Sequence, residues 1–113
     1  MSAPRRHAGL NVPLFSLRSA RSWGIGELTD LATFSQWLAC AGFTRLLLLP
    51  LGTMPAGQTS PYSAISTLSI EPLFISLADV PDFVRIGGEG GLSAAARNPL
   101  AGARQAPAVR HDL

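Results

Sequence analysis

Tyr62 is the residue of this chain whose type and setting could most readily bind a ligand. It is the only tyrosine, and it lies between Pro61 and Ser63 in a loop, residues 52–67, that has no other aromatic residue. Pro61 restricts the backbone before the ring, so we expect the ring to have little freedom. Such a ring can stack on the apolar face of a sugar while its hydroxyl group hydrogen-bonds, and Ser60 adds a further hydroxyl. Packing of Tyr62 onto the rest of the protein is the alternative, and the residues alone leave both open.

Acidic residues are the other groups that could do chemistry. Cleavage of a glycosidic bond uses two carboxyl groups that face each other across about 5 to 10 Å. No spacing in the sequence enforces such a pair, and Asp79 and Asp82, in a segment with prolines, are typical of a solvated turn. We therefore assign no catalytic residue and predict that most of the acids are helix caps or surface groups. The seven acids are Glu27, Asp30, Glu71, Asp79, Asp82, Glu89 and Asp112.

The sequence WGIGEL at residues 23–28 has two glycines that could approach a nucleotide phosphate. A dinucleotide site would need a third glycine three positions after Gly26 and an acid at the end of the following strand. Thr29 occupies the first of these positions, and the following strand is predicted to end in Pro50 and Leu51. We therefore predict a tight turn between a strand and a helix, with no cofactor.

Composition and charge exclude several classes of partner. The nine arginines are scattered and the net charge is +2, so we predict no basic face for nucleic acid. His7 and His111 stand near opposite ends of the chain and offer no metal-ligand spacing. The single cysteine, Cys40, excludes an internal disulfide, fits a reducing compartment and is expected to be a packed thiol. The apolar run RLLLLPL is far shorter than the roughly 20 residues that cross a bilayer, so we expect a cytoplasmic protein without membrane contact.

Hydrophobic patterning predicts one strand–helix–strand unit. Residues 9–17 are expected to form a strand in which Pro13 favours an edge or irregular position. A helix should follow its N-cap, Thr29, and end at Gly42. Residues 45–51 are an unbroken aliphatic run after Arg45, typical of a strand buried on both faces of a parallel sheet. The apolar face of the helix is predicted to comprise Leu31, Phe34, Leu38 and Ala41.

The remaining segments are predicted to be less regular. Residues 70–80 should be partly extended, and the sequence GGEGG at residues 87–91 should be a flexible hinge. An alanine-rich helical stretch follows, which Ser93 could cap and which Pro99 and Pro107 are expected to break.

These elements predict an α/β fold in two regions. Residues 1–82 would hold the βαβ unit and the 52–67 loop, and residues 83–113 the glycine-rich hinge and helical tail. In parallel sheets, ligands bind beyond the carboxyl ends of the strands. The 52–67 loop follows such an end, where a ligand could bind.

Two long stretches match the pattern of one enzyme family. Residues 9–51, GLNVPLFSLRSARSWGIGELTDLATFSQWLACAGFTRLLLLPL, and residues 60–80, SPYSAISTLSIEPLFISLADV, closely resemble the N-terminal part of the 4-alpha-glucanotransferases, the amylomaltase family. The family has a first strand, a Tyr/Trp-Gly-Ile-Gly-acid turn, a helix, a Leu-Pro-Leu strand end, and then Ser-Pro-Tyr.

The resemblance implies a (β/α)8 TIM barrel, of which this chain would supply the first two strands and the first helix. It implies transfer of α-1,4-glucan segments between maltooligosaccharides by a retaining double displacement, without a cofactor. An aspartate attacks the anomeric carbon, a glutamate serves as acid and then base, and a sugar hydroxyl completes the transfer. Tyr62 matches the family tyrosine that stacks on glucose beside the scissile bond, and Ser60 matches the serine of the same loop.

The resemblance also implies that the catalytic carboxylates lie beyond residue 113. Since a barrel of this type needs about 250 residues, the remainder of the barrel would be required, and we expect the isolated chain to be inactive. Three alternatives stay open: a non-catalytic glucan-binding module, a structural remnant of a truncated gene, and a hydrolase of the α-amylase type, whose barrel opens in the same way.

Overall fold

The computed structural model describes residues 6–111 and has short regular elements. Two strands and three helices give the predicted α/β structure. In chain order they are β1 (Gly9–Val12), α1 (Asp30–Cys40), β2 (Arg45–Leu48), α2 (Pro81–Arg85) and α3 (Ala94–Gln105). Short 3-10 helices lie between them, at Leu14–Ser16, Pro61–Ser63, Pro72–Phe74, Leu77–Asp79 and Gly88–Gly91.

Strands β1 and β2 pair in parallel, with Gly9 opposite Arg45 and Val12 opposite Leu48. Because α1 lies between them in the sequence, the three elements form the predicted βαβ unit. Both strands are shorter than predicted, and β1 gives way to a 3-10 helix after Pro13. A proline has no N–H to donate to a neighbouring strand, which ends the regular pairing there.

The prediction that β2 is buried on both faces is wrong. Its residues alternate between exposed and half-buried, and Leu47 is 65% exposed. A parallel strand is buried on both faces only when helices and further strands cover it. Among residues 6–111 the sheet has two strands, so one edge of β2 and much of its surface have no such cover.

The start of α1 is held differently from the prediction. Thr29 occupies the N-cap position, but its side chain makes no capping hydrogen bond. Its hydroxyl oxygen instead lies 2.5 Å from the hydroxyl oxygen of Ser76. Asp30 Oδ2 accepts the N–H of Glu27 at 2.8 Å and so closes the first turn. Thr29 therefore ties α1 to the segment that follows the 52–67 loop.

The end of α1 confirms the prediction at Gly42. This residue has φ of +87°, in the left-handed region that favours glycine. The N–H of Phe43 then donates to the carbonyl of Leu38 at 3.1 Å, an arrangement that satisfies one of the last helical carbonyls.

The apolar face of α1 is only partly as predicted. Leu38 is buried, and Leu31 and Phe34 are half-buried. Ala41 and Cys40 are exposed. The prediction of a packed thiol was therefore wrong, because Cys40 follows the buried Leu38 by two residues, about 200° around the helix, and so faces away from it.

Residues 70–80 are partly extended, as predicted, with extended backbone at Ile75, Ser76 and Val80. They form the 3-10 helices Pro72–Phe74 and Leu77–Asp79, and only Ile70 pairs, in an isolated antiparallel bridge with Gly52. Pro72 has the fixed φ that suits the first position of a helix, and Glu71 supplies the cap before it.

The C-terminal region has more regular structure than predicted. Gly88–Gly91, within the GGEGG sequence, form a 3-10 helix, and the flexibility of this hinge stays a prediction. Ser93 precedes α3 at the N-cap position without a side-chain cap, and α3 continues through Pro99. A proline inside a helix removes one hydrogen bond, but Leu100 and Ala103 on the next turn are buried and hold the helix in place.

Helix α3 packs against the tight turn that follows β1. The guanidinium group of Arg18 donates to the carbonyls of Ala106 and Arg104, both at 2.9 Å. Gly24 has φ of +93°, and a Cβ at this position would lie 2.9 Å from the Cβ of Ala103. The absence of a side chain at Gly24 therefore lets the WGIG turn lie this close to α3.

The buried apolar core of residues 6–111 is small. It consists of five side chains, while eleven large hydrophobic side chains are exposed. The radius of gyration is 16.7 Å, whereas a compact domain of this length has about 13 Å. The core side chains are Leu14, Leu38, Phe74, Leu100 and Ala103.

Among residues 6–111, none of the helices has the length and apolar character that a membrane span requires.

Gly26 tests the packing of the turn. A Cβ at this position would overlap the carbonyl oxygen of Leu14 and lie 2.9 Å from the Leu17 nitrogen. We expect Gly26→Ala to destabilise the protein by about 1–3 kcal/mol. Gly102, in α3 with no atom near its missing Cβ, is the matched control. Gly102→Ala should stabilise by about 0.5–1 kcal/mol. Thermal unfolding of both variants checks this, and equal midpoints would contradict it.

Candidate functional site

Main-chain hydrogen bonds close the 52–67 loop where it begins and ends. The N–H of Glu71 donates to the carbonyl of Leu51 at 2.8 Å, and that of Thr53 donates to the carbonyl of Ser69 at 3.3 Å. The Thr53 and Ser69 hydroxyl oxygens lie 2.8 Å apart. We call residues 51–54 and 69–73 the loop base.

The carboxylate of Glu71 joins the two sides of the loop base. Its Oε2 accepts the N–H of Met54 at 2.8 Å, and its Oε1 accepts the N–H of Leu73 at 3.5 Å. Glu71 is 8% exposed. A buried carboxylate needs such donors, because an ionised group without them is costly to remove from water. Glu71 confirms the prediction that most of the acids are helix caps or surface groups, because it caps the 3-10 helix Pro72–Phe74, although it is buried.

The tip of the loop carries Tyr62 and Ser60 on one turn. Tyr62 lies in the 3-10 helix Pro61–Ser63, and the N–H of Ser63 donates to the carbonyl of Ser60 at 3.0 Å. Tyr62 is 72% exposed, and Ser60 is exposed as well. The ring is therefore available to a ligand, and within residues 6–111 it does not pack the loop onto the rest of the protein.

A further hydrogen bond connects the tip to the base. The N–H of Ile65 donates to the carbonyl of Thr53 at 2.9 Å. Gly52 lies against the chain that follows Tyr62, since a Cβ at Gly52 would overlap the carbonyl oxygen of Ser66. The chain after Tyr62 is thereby held against the chain that leaves β2.

Every described carboxylate has a hydrogen-bond or ion-pair partner. Glu27, 4% exposed, accepts the N–H of Trp23 at 2.8 Å, and it is the second buried acid that the sequence did not predict. The other pairs are Asp30 with Glu27 N–H, Glu71 with Met54 and Leu73 N–H, Asp79 with Arg21, Asp82 with Arg85, and Glu89 with Arg104.

An apolar cavity of about 400 Å³ lies between the WGIG turn and α3. Ile25, Leu77 and Leu100 line it, with Glu27 and His111 as polar neighbours. The sequence did not predict this cavity, because it forms between segments far apart in the chain. In residues 6–111, no group of three or more histidine, cysteine or acidic side chains could hold a metal ion.

Comparison with known proteins identifies the family. The sequence model of the 4-alpha-glucanotransferases, glycoside hydrolase family 77, matches residues 12–111. This chain belongs to the 4-alpha-glucanotransferase family. The match includes the WGIG turn, the 52–67 loop and α3, and so agrees with the resemblance of the SPYS and WGIGEL sequences.

Individual 4-alpha-glucanotransferases share about two fifths of the aligned residues. The chain is 40% identical to that of Mycobacterium bovis over 98 residues and 42% identical to that of Chlamydia pneumoniae over 74 residues. These alignments cover 78% and 66% of this chain but only 14% of each relative. The rice 4-alpha-glucanotransferase DPE2 is 35% identical over 86 residues, which are 73% of this chain and 9% of that protein.

The ion pair of Glu89 and Arg104 gives a pH prediction. The hydrogen bond from Arg104 holds the pKa of Glu89 below its ordinary value of 4.5. A lowered pKa in the folded state means that the pair stabilises the protein above pH 4.5, and that this contribution disappears as the pH falls below 4.5. Glu89→Gln should therefore lower the free energy of unfolding at pH 7 more than at pH 3. Urea unfolding at both pH values measures this, and an equal effect at the two would contradict it.

Proposed function

We propose that this chain is the N-terminal part of a 4-alpha-glucanotransferase that acts on α-1,4-glucans. Family membership and the names of the relatives support this function. The chain spans 14% of the length of the bacterial relatives. The activity therefore belongs, in this proposal, to a longer protein that includes these residues.

The observation that carries the proposal is the exposed ring of Tyr62. A side chain with an apolar face and a polar tip is 72% exposed on a loop that hydrogen bonds close at its base. Its ring would stack on a glucose unit of the glucan, and its hydroxyl group would hydrogen-bond to the sugar. Ser60, on the same turn, would add a second hydroxyl contact.

The barrel is part of the same proposal. The β1–α1–β2 unit would be the first βαβ unit of a (β/α)8 barrel, and the 52–67 loop would lie on the edge where the carboxyl ends of the strands meet. Exposed apolar side chains such as Leu47 on β2 favour this arrangement, because further strands and helices would cover them.

In this proposal the bond-breaking carboxylates come from outside residues 1–113. Retaining transfer needs a carboxylate that attacks the anomeric carbon and a second carboxyl group that gives and takes a proton. Glu89 does not suit the second role, because its pKa is lowered by Arg104 whereas a general acid needs a raised one. The part described here would bind and orient the glucan.

Substitution of Tyr62 in the full-length enzyme tests the proposal. Tyr62→Ala removes the stacked ring and should raise the KM for maltotriose about tenfold, or roughly 1.4 kcal/mol. Tyr62→Phe keeps the ring and should cause a smaller rise. Trp37→Ala is the matched control, since Trp37 is also an exposed aromatic residue but lies on α1. Equal KM values for all four proteins would contradict the role of Tyr62.

The isolated chain should be inactive. Residues 1–113 alone are expected to leave maltotriose unchanged, because no facing pair of carboxylates is assigned to them. Chromatography of maltotriose after incubation with the purified chain measures this. Formation of glucose together with longer maltodextrins would show that the chain contains its own catalytic groups.

A further inference from the structure

We propose that Glu71 is a positioning residue, which holds the 52–67 loop in the conformation in which Tyr62 binds glucan. The inference rests on the proposed function of Tyr62. In this proposal Glu71, a buried acid that does not touch the ligand, affects the affinity for the substrate.

The first argument is the pair of bonds that the carboxylate makes. Oε2 accepts the N–H of Met54, near the start of the loop, and Oε1 accepts the N–H of Leu73, after its end. Hydrogen bonds to an ionised oxygen are roughly twice as strong as those between neutral groups. One side chain thus joins two main-chain segments that are nineteen positions apart in sequence at Met54 and Leu73.

The second argument is that the segment with Leu73 is bonded to the core, whereas the segment with Met54 is held through the loop base. Phe74 is 3% exposed, and its carbonyl accepts the N–H of Leu28 at 2.9 Å. The hydroxyl groups of Ser76 and Thr29 also bond to each other, which ties the same segment to the start of α1. Glu71 is therefore attached to the core, and its bond to Met54 sets the position of the more exposed loop.

The third argument is the short path from Glu71 to the ring. Thr53, next to Met54, accepts the N–H of Ile65, which lies three positions after Tyr62. Loss of the Met54 bond would leave Thr53 held by its bonds to Ser69 and would loosen, through Thr53, the turn that carries Tyr62. If only a tenth of the molecules then kept the binding conformation, the apparent dissociation constant for glucan would rise about tenfold.

Variants of Glu71 in the full-length enzyme test this role. Glu71→Ala should speed the amide hydrogen exchange of residues 52–67 and raise the KM for maltotriose about tenfold, with little change in kcat. Glu71→Gln keeps one accepting oxygen, so its effects should be intermediate, and it replaces Glu71→Ala if that variant does not fold. Asp79→Asn is the matched control, because Asp79 is an exposed acid that pairs with Arg21.

A double-mutant cycle with Tyr62→Ala separates positioning from general stability. If Glu71 acts through the ring, Glu71→Ala should raise KM little further in the Tyr62→Ala background. An unchanged exchange pattern in residues 52–67, or an effect of equal size in both backgrounds, would overturn the inference. If Tyr62→Ala alone leaves KM unchanged, the proposed function fails, and the exchange pattern still decides whether Glu71 positions the loop.

Discussion

A long loop can present a side chain in one place only if its ends are joined and its interior is tied to them. In this chain Glu71 makes two of the joining bonds. Its main-chain N–H donates to the carbonyl of Leu51, and its carboxylate accepts the N–H of Met54. Phe74, three positions after Glu71, is buried in the core, and its carbonyl accepts the N–H of Leu28. The position of Tyr62 therefore depends on the core through a few hydrogen bonds rather than on contacts of the ring itself.

Local signals in the sequence predicted the βαβ unit well. The end of α1 follows from Gly42, whose left-handed φ few other residues adopt, and the parallel pairing follows from a helix of suitable length between two apolar runs. The predictions were wrong where tertiary contacts determine the local structure or the burial of a residue. Pro99 stays within α3 because Leu100 is buried, and Cys40 is exposed because it faces away from Leu38, the buried residue of α1.

The residues proposed to bind the ligand could be chosen from the sequence, whereas the hydrogen bonds that hold their loop could not. Tyr62 stands out as the only tyrosine, held by Pro61, and its exposure agrees with a contact residue. The role of Glu71 depends on a bond to Met54, seventeen positions away, which no short pattern contains. An acid before Pro72 does signal a cap of a short helix, and this was the one local sign of its importance.

A crystal structure of the full-length protein with a bound maltooligosaccharide is the most direct test of this account. We expect the ring of Tyr62 to lie against the face of a glucose unit at about 4 Å, with the Glu71 carboxylate still bonded to the N–H of Met54. A structure in which Tyr62 is covered by protein, or in which the glucan binds elsewhere, would contradict the account.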